Sequence, residues 1–168
     1  KVDSVNQGIS YVADVPSETL SRLSLDNSPV SASISSSAFG GRGGSLRATT
    51  DYGTLAEADV ALICVPTPLG KTKDPDVSHI LSAAEDISKH LHNGMLVVLE
   101  STTYPSTTRA VLLPILNESG LIVGKDFFLA YSPEREDPGN ANYSARSIPK
   151  VVGGIDDSSL QLAIALYD

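Results

Sequence analysis

The segment from Val97 to Pro105 constrains the fold of this chain most strongly, because an apolar run changes there into a polar turn. Residues 95–99 are all apolar, which is typical of a strand covered on both faces in a parallel sheet. Hydroxyl side chains follow at 101–103, and Pro105 fits the first position of a helix. In open α/β sheets, ligands bind at this carboxyl edge, near helix N-termini that attract anions. Alternatively, the hydroxyls only cap the helix that begins near Pro105.

Length and composition narrow the class of protein. A chain of 168 residues predicts about one domain, but it starts with Lys1 and ends within an apolar helix, so we expect a fragment. The net charge of -8 argues against a nucleic-acid partner, which would need many Lys and Arg contacts, but not against a small anionic ligand. The single cysteine, Cys64, excludes an internal disulfide and a Cys-rich metal site. No segment resembles a membrane span or a signal peptide, so we expect a cytoplasmic protein without a membrane partner.

The order of elements along the chain predicts an α/β fold. Residues 1–25 predict the end of a helix, a turn and a short helix from Ser17, and residues 26–45 predict a flexible Ser- and Gly-rich insertion. The glycines at 40–44 follow no apolar strand, which argues against a phosphate-binding loop. Thereafter strands and helices alternate, with predicted strands at 60–65, 95–99, 127–131 and 150–154. This alternation predicts parallel pairing in a doubly wound sheet.

Two further side-chain types carry weaker predictions. Cys64 lies inside an apolar run, so we expect a small buried residue rather than a nucleophile. His90 and His92 are two positions apart and hence on different helix faces, so we expect no metal site from this pair.

Three of the predicted strands end in related polar segments, at 65–68, 100–103 and 132–139. If these strands lie side by side, Thr67, Thr102 and Glu134 converge on one cleft. A carboxylate next to a hydroxyl at such an edge can hold or deprotonate a water molecule.

Four stretches of the sequence, "ALICVPTPL", "VVLESTTYPSTT", "YSPEREDPGN" and "IPKVVGG", together resemble the N-terminal domain of the UDP-glucose/GDP-mannose dehydrogenase family. The resemblance is nearest to the bacterial UDP-N-acetylglucosamine or UDP-N-acetylmannosamine 6-dehydrogenase branch and covers residues 1–25 and 46–168. It implies that the chain, residues 1–168, is a partial NAD-binding domain with an incomplete, mostly parallel Rossmann-like sheet. It also implies oxidation of the C6 alcohol of a UDP-sugar to a carboxylate for surface polysaccharide synthesis. In the family, two NAD are reduced and a cysteine forms a thioester. Family members are commonly dimers or larger, and we expect a homodimer for the full-length protein.

The resemblance also implies roles for individual residues. Thr102 would position the catalytic water, Glu134 would act with that water and contact the substrate, and Arg135 would contact an anionic group of the substrate. The NAD site would be lined by Val65, Pro66, Thr67, Ser101 and Thr102. Alternatively, Glu134 forms a salt bridge with Arg135 or Arg146.

Several parts of the family pattern are absent from the sequence. The glycine-rich fingerprint and the acidic residue that binds the adenosine ribose are missing, as though they lay before Lys1. The family's catalytic cysteine and lysine belong to later segments, and Cys64 does not match that cysteine. We therefore expect this chain alone to bind NAD weakly or not at all and to be inactive. Two alternatives remain open: a truncated or degenerate non-catalytic domain, and a glycoside hydrolase that uses Glu134 with Glu136 or Asp137.

Overall fold

The structure, a computed structural model, describes residues 1–12, 15–23, 45–70, 75–134 and 149–168. They belong to two compact units, Lys1–Asp51 and Tyr52–Asp168. Except for Ser45, the insertion predicted at 26–45 lies outside the described residues. Within these ranges no helix has the length and apolar character needed to cross a membrane. The same ranges contain no cluster of three or more His, Cys, Asp or Glu side chains that could hold a metal ion.

The first unit contains two short helices, α1 (Val2–Asn6) and α2 (Ser17–Leu23), which confirms the predicted helix, turn and second helix. The turn contains Gly8, whose φ is 71° and where an added Cβ would come within 2.7 Å of the Cα atom of Ser21. Only glycine combines this backbone conformation with so close an approach. The Asn6 side chain forms hydrogen bonds of 2.9 and 2.7 Å with the backbone of Ala48.

The second unit is an open sheet of four strands with helices on both faces. In chain order it contains a 3-10 helix (Tyr52–Glu57), β1 (Val60–Ile63), α3 (Ser78–Ser88), β2 (Leu96–Leu99), a π-helical turn (Thr108–Leu112), α4 (Leu113–Asn117), β3 (Phe128–Tyr131), β4 (Gly153–Gly154) and α5 (Asp157–Tyr167). The strands are arranged in the order β1, β2, β3, β4, and the first three are parallel. The predicted α/β class and mostly parallel sheet are therefore confirmed.

The last strand departs from the predicted parallel pairing, because β4 runs antiparallel to β3 and has only two residues. A parallel neighbour requires a crossover connection, usually a helix, whereas an antiparallel neighbour does not. The sequence between these strands has no apolar helical period, so an antiparallel return is the simpler path. Glycine at 154 also permits close packing, because a Cβ there would lie 2.3 Å from the backbone nitrogen of Leu160 in α5.

Alternate residues along the strands pack on opposite faces of the sheet, as the two-residue period of a strand requires. One face packs against α3 and α4, and its buried strand residues are Ala61, Ile63, Val97, Leu99 and Leu129. The other face packs against Ala163 of α5 through Leu96, Val98 and Ala130. All four residues of β2 are buried, which confirms the prediction of a strand covered on both sides. Among the described strands β1 forms one edge, and its Leu62 is 47% exposed.

The helix predicted to begin at Pro105 begins later. Ser106 has a φ of 75°, outside the range of a right-handed helix. The helical segment begins with a π-helical turn at Thr108. The prediction of a helix start at Pro105 is therefore wrong: proline and serine form a turn that separates the strand end from the helix.

Candidate functional site

The register of the parallel strands brings their carboxyl ends to one edge of the sheet. Ile63 pairs with Leu99, and Leu99 pairs with Tyr131, so the next residues of all three strands leave the sheet side by side. These residues enclose an open cavity of about 290 Å³, lined by Cys64, Val65, Pro66, Thr67, Glu100, Ser101, Thr102 and Glu134. The prediction that Thr67, Thr102 and Glu134 meet at one edge is confirmed.

The predicted site residues that the structure describes all line this cavity. Thr102 and Glu134 are exposed to solvent, and Thr67 is half-buried. Arg135 lies outside the described residues. So do Arg146, the other candidate for a salt bridge with Glu134, and Glu136 and Asp137, the candidate second carboxylates of a glycoside hydrolase. The individual roles of the lining residues remain predictions.

The three hydroxyl residues after β2 have different environments. The buried Ser101 hydroxyl lies 2.7 Å from the carbonyl oxygen of Val65 and 3.1 Å from that of Ile63, so it ties the end of β2 to the end of β1. The Thr103 hydroxyl is 2.8 Å from the Thr107 hydroxyl within the following turn. Thr102, in contrast, faces the cavity. The alternative that all three merely cap a helix is therefore not supported.

The Glu100 side chain makes several polar contacts at this edge. Its Oε1 atom accepts hydrogen bonds from the Tyr167 hydroxyl at 2.5 Å and from Lys150 Nζ at 2.9 Å. Its Oε2 atom lies 3.4 Å from the Sγ atom of Cys64. The Lys150 ammonium also lies 4.4 Å from the centroid of the Tyr167 ring, a distance suited to a cation–π contact.

This network shifts the pKa values of Glu100 and Tyr167. Burial alone would raise the pKa of Glu100, but the hydrogen bonds from Tyr167, Lys150 and Cys64 outweigh it and hold the pKa below its usual value. Burial and the neighbouring Glu100 carboxylate raise the pKa of Tyr167 well above its usual range. At neutral pH the Glu100 carboxylate is therefore ionised and the Tyr167 phenol is neutral.

Cys64 is exposed rather than buried, so the prediction of a small buried residue is wrong. Cys64 directly follows the edge strand β1 and lies two positions after Leu62, on the same face, where that leucine is also exposed. Partial burial of the sulfur, together with the hydrogen bond and negative charge of Glu100, raises the pKa of the Cys64 thiol to about 11. A thiol of this kind is a poor nucleophile at neutral pH, as the sequence analysis expected.

Ser132, directly after β3, carries a fully buried hydroxyl that makes no hydrogen bond of ordinary geometry with the described residues. It lies near the Tyr167 phenol and acts to lower the pKa of that group, against the larger effects of burial and Glu100. The buried polar groups at this edge therefore extend from β2 to β3.

Sequence reasoning missed Glu100, Lys150 and Tyr167. A charged residue directly after a fully buried strand was the available indication for Glu100. Its partners lie 50 and 67 positions further along the chain, so no local pattern connects them to it.

The residues that line the cavity suit part of a dinucleotide. Val65 and Pro66 supply an apolar wall, Thr67 and Thr102 supply hydroxyls, and the cavity volume is at the lower end of the range for ligand pockets. A complete NAD molecule also needs a site for its phosphates, and among the residues that the structure describes no glycine-rich loop follows a buried strand.

Residues 7–168 match the sequence profile of the UDP-glucose/GDP-mannose dehydrogenase family, NAD binding domain. The chain is 40% identical to protein CapL of Staphylococcus aureus over 120 residues, 71% of this chain and 28% of that protein. It is also 40% identical to the UDP-N-acetyl-D-glucosamine 6-dehydrogenase of Pseudomonas aeruginosa over 114 residues, 67% of this chain and 27% of that protein.

Solved structures show the same relationship. The NDP-N-acetyl-D-galactosaminuronic acid dehydrogenase of Methanosarcina mazei Go1 superposes with a TM-score of 0.80 at 32% identity, covering 99% of this chain and 33% of that one. The GDP-mannose dehydrogenase of Pseudomonas aeruginosa gives a TM-score of 0.78 at 27% identity, covering 99% of this chain and 36% of that one. This chain thus spans about a third of the length of its relatives. From sequence profile, fold and strand-end geometry together, the chain belongs to the UDP-glucose/GDP-mannose dehydrogenase family, within its NAD binding domain.

Proposed function

We propose that this chain is the NAD-binding part of a nucleotide-sugar 6-dehydrogenase that oxidises the C6 alcohol of a UDP-sugar to a carboxylate for surface polysaccharide synthesis. The observation that carries the proposal is the meeting of Thr67, Thr102 and Glu134 in one cavity at the carboxyl edge of a parallel sheet. The names of relatives, among them a UDP-N-acetyl-D-glucosamine 6-dehydrogenase and a UDP-N-acetyl-D-mannosamine dehydrogenase, support a nucleotide-sugar substrate. We further propose a cytoplasmic enzyme that is a homodimer at full length.

The reaction converts a primary alcohol, one water and two NAD⁺ into a carboxylate, two NADH and three protons. NAD, when bound, accepts the two hydride equivalents. The water supplies the second oxygen of the carboxylate, so the site needs groups that hold a water and take its proton. In this proposal the Thr102 hydroxyl orients the water and the Glu134 carboxylate accepts its proton. Both side chains are exposed to the cavity, where a water and a substrate have access to them.

One portion of NAD would be held by Val65, Pro66, Thr67, Ser101 and Thr102. Ser101 contributes mainly by fixing the wall, because its hydroxyl proton is shared between two strand-end carbonyls. Glu134 and Arg135 would also contact the substrate, with the guanidinium group of Arg135 suited to an anionic substituent.

The test is an assay of the full-length protein with UDP-N-acetylglucosamine and UDP-N-acetylmannosamine, following the absorbance of reduced nicotinamide. We expect reduction of NAD that depends on the nucleotide sugar, with two NADH formed per carboxylate. Release of free sugar without any cofactor would instead support a glycoside hydrolase. A folded full-length protein that reduces NAD with neither sugar nor with a GDP-sugar would support a degenerate, non-catalytic domain and contradict the proposal.

A further inference from the structure

We propose that Glu100 is a positioning residue: its carboxylate binds Lys150 and Tyr167 and thereby holds the turn that carries Thr102 beside Glu134. The inference rests on the proposed function, in which Thr102 and Glu134 act on the same water.

The three side chains of this network form a closed triangle. One carboxylate oxygen of Glu100 accepts from both Tyr167, at 2.5 Å, and Lys150, at 2.9 Å. Lys150 in turn lies 4.4 Å above the Tyr167 ring. Because each side chain contacts the other two, none of them changes rotamer without breaking two contacts.

The Glu100–Lys150 ion pair differs from an ordinary surface pair on the same chain. Lys89 and Asp86 also lie 2.9 Å apart, but their side chains are 65% and 31% exposed. Those of Lys150 and Glu100 are only 31% and 14% exposed. Water competes less with a shielded pair, and loss of one partner leaves the other charge partly buried and unbalanced. We therefore expect the Glu100–Lys150 pair to hold its side chains more rigidly than the Lys89–Asp86 pair does.

The backbone of Glu100 connects this network to both proposed reactive groups. Its N–H donates to the carbonyl of Ile63 at 3.0 Å, so the residue continues the hydrogen bonding between β1 and β2. Its carbonyl accepts the N–H of Glu134 at 3.4 Å, and Thr102 follows two positions later. A shift of the Glu100 side chain would therefore move the backbone on which Thr102 and Glu134 depend.

The first test needs no catalytic activity. Tyr167→Phe removes one hydroxyl from the network, and NMR spectra of the full-length protein report on the backbone amides of Thr102 and Glu134. We expect both amide signals to shift, although both residues are remote from Tyr167 in sequence. Tyr52→Phe, at an exposed tyrosine in the 3-10 helix, is the matched control and should leave both signals in place. Shifts confined to α5 in the Tyr167→Phe chain would overturn the proposal.

The second test separates positioning from stability in the full-length enzyme. Misplacement of reacting groups by a fraction of an ångström slows chemistry strongly, so Tyr167→Phe and Lys150→Met should each lower kcat by about tenfold. KM for NAD should change less than about twofold, because neither residue lines the cavity. Lys89→Met should leave both parameters unchanged.

A purely structural role predicts a lower melting temperature with kcat of the folded enzyme unchanged, and that result would contradict the proposal. If none of the nucleotide sugars supports NAD reduction by the wild-type enzyme, the proposed function fails. The amide shifts alone then decide whether Glu100 positions the turn.

Discussion

Ser106 stores backbone strain at the turn between β2 and the helix that follows. Its φ of 75° costs a residue with a side chain about 1–2 kcal/mol, partly offset because glycine loses about 0.5–1 kcal/mol more entropy on folding. We therefore expect Ser106→Gly to raise the free energy of unfolding by about 0.5–1 kcal/mol in urea denaturation. Ser82→Gly, on the exposed face of α3, is the matched control and should lower it by about 0.5 kcal/mol. A destabilised Ser106→Gly chain would show that the turn needs the serine side chain.

Cys64 reports on the charge of Glu100. A pKa raised from 9.0 to about 11 keeps the thiol protonated, so its alkylation rate should keep rising with pH beyond 9. At pH 8 the smaller thiolate fraction, partly offset by greater thiolate nucleophilicity, predicts alkylation about tenfold slower than in the urea-unfolded chain. Mass spectrometry of iodoacetamide labelling measures this rate unambiguously, because the chain has one cysteine. Glu100→Gln should recover part of the difference. Equal rates in the native and unfolded chains would contradict the described environment.

At the scale of single elements, α5 depends on a buried serine for its attachment to the sheet. The Ser159 hydroxyl donates to Asp156 Oδ2 at 2.9 Å and accepts the Leu129 N–H of β3 at 3.1 Å. Ser159→Ala leaves that buried N–H without its partner, so we expect a loss of about 1–3 kcal/mol in the free energy of unfolding. Ser158→Ala, its exposed neighbour, should change it by less than about 0.5 kcal/mol. Equal effects of the two substitutions would rule out this attachment.

Elements with a strong period were predictable, and elements defined by distant contacts were not. The apolar run of β2 predicted a central strand, and β2 is buried on both faces. β4 is a pair of glycines whose direction depends on the chain path between it and β3, and no local pattern encodes that direction. The turn at Ser106 was missed because serine rarely adopts a positive φ and because Pro105 fits the first position of a helix.

At the scale of the whole molecule, the convergence of the site was predictable because parallel strands place their carboxyl ends together. Thr67, Thr102 and Glu134 follow from strand order and register alone. The Glu100 network was not predictable, because its partners come from segments 50 and 67 positions away. The exposure of Cys64 likewise depends on the place of β1 at the edge of the described sheet, which the sequence does not encode locally.

The 168-residue chain alone should bind NAD weakly or not at all. Its cavity of about 290 Å³ accommodates only part of a dinucleotide, and within the described ranges no glycine-rich loop follows a buried strand to bind the phosphates. Isothermal titration should therefore detect no binding at micromolar NAD. Micromolar affinity would mean that the residues present form a complete cofactor site.

We propose that Thr102 and Glu134 act together on a water in a nucleotide-sugar dehydrogenase, and kcat of the full-length Glu134→Gln enzyme tests this most directly. Loss of a proton acceptor predicts a fall in kcat of about 10²-fold or more, with little change in KM for NAD. Glu85→Gln, on the exposed face of α3, is the matched control and should retain full activity. A Glu134→Gln enzyme with kcat within about threefold of wild type would contradict the assignment of this cavity as the catalytic site.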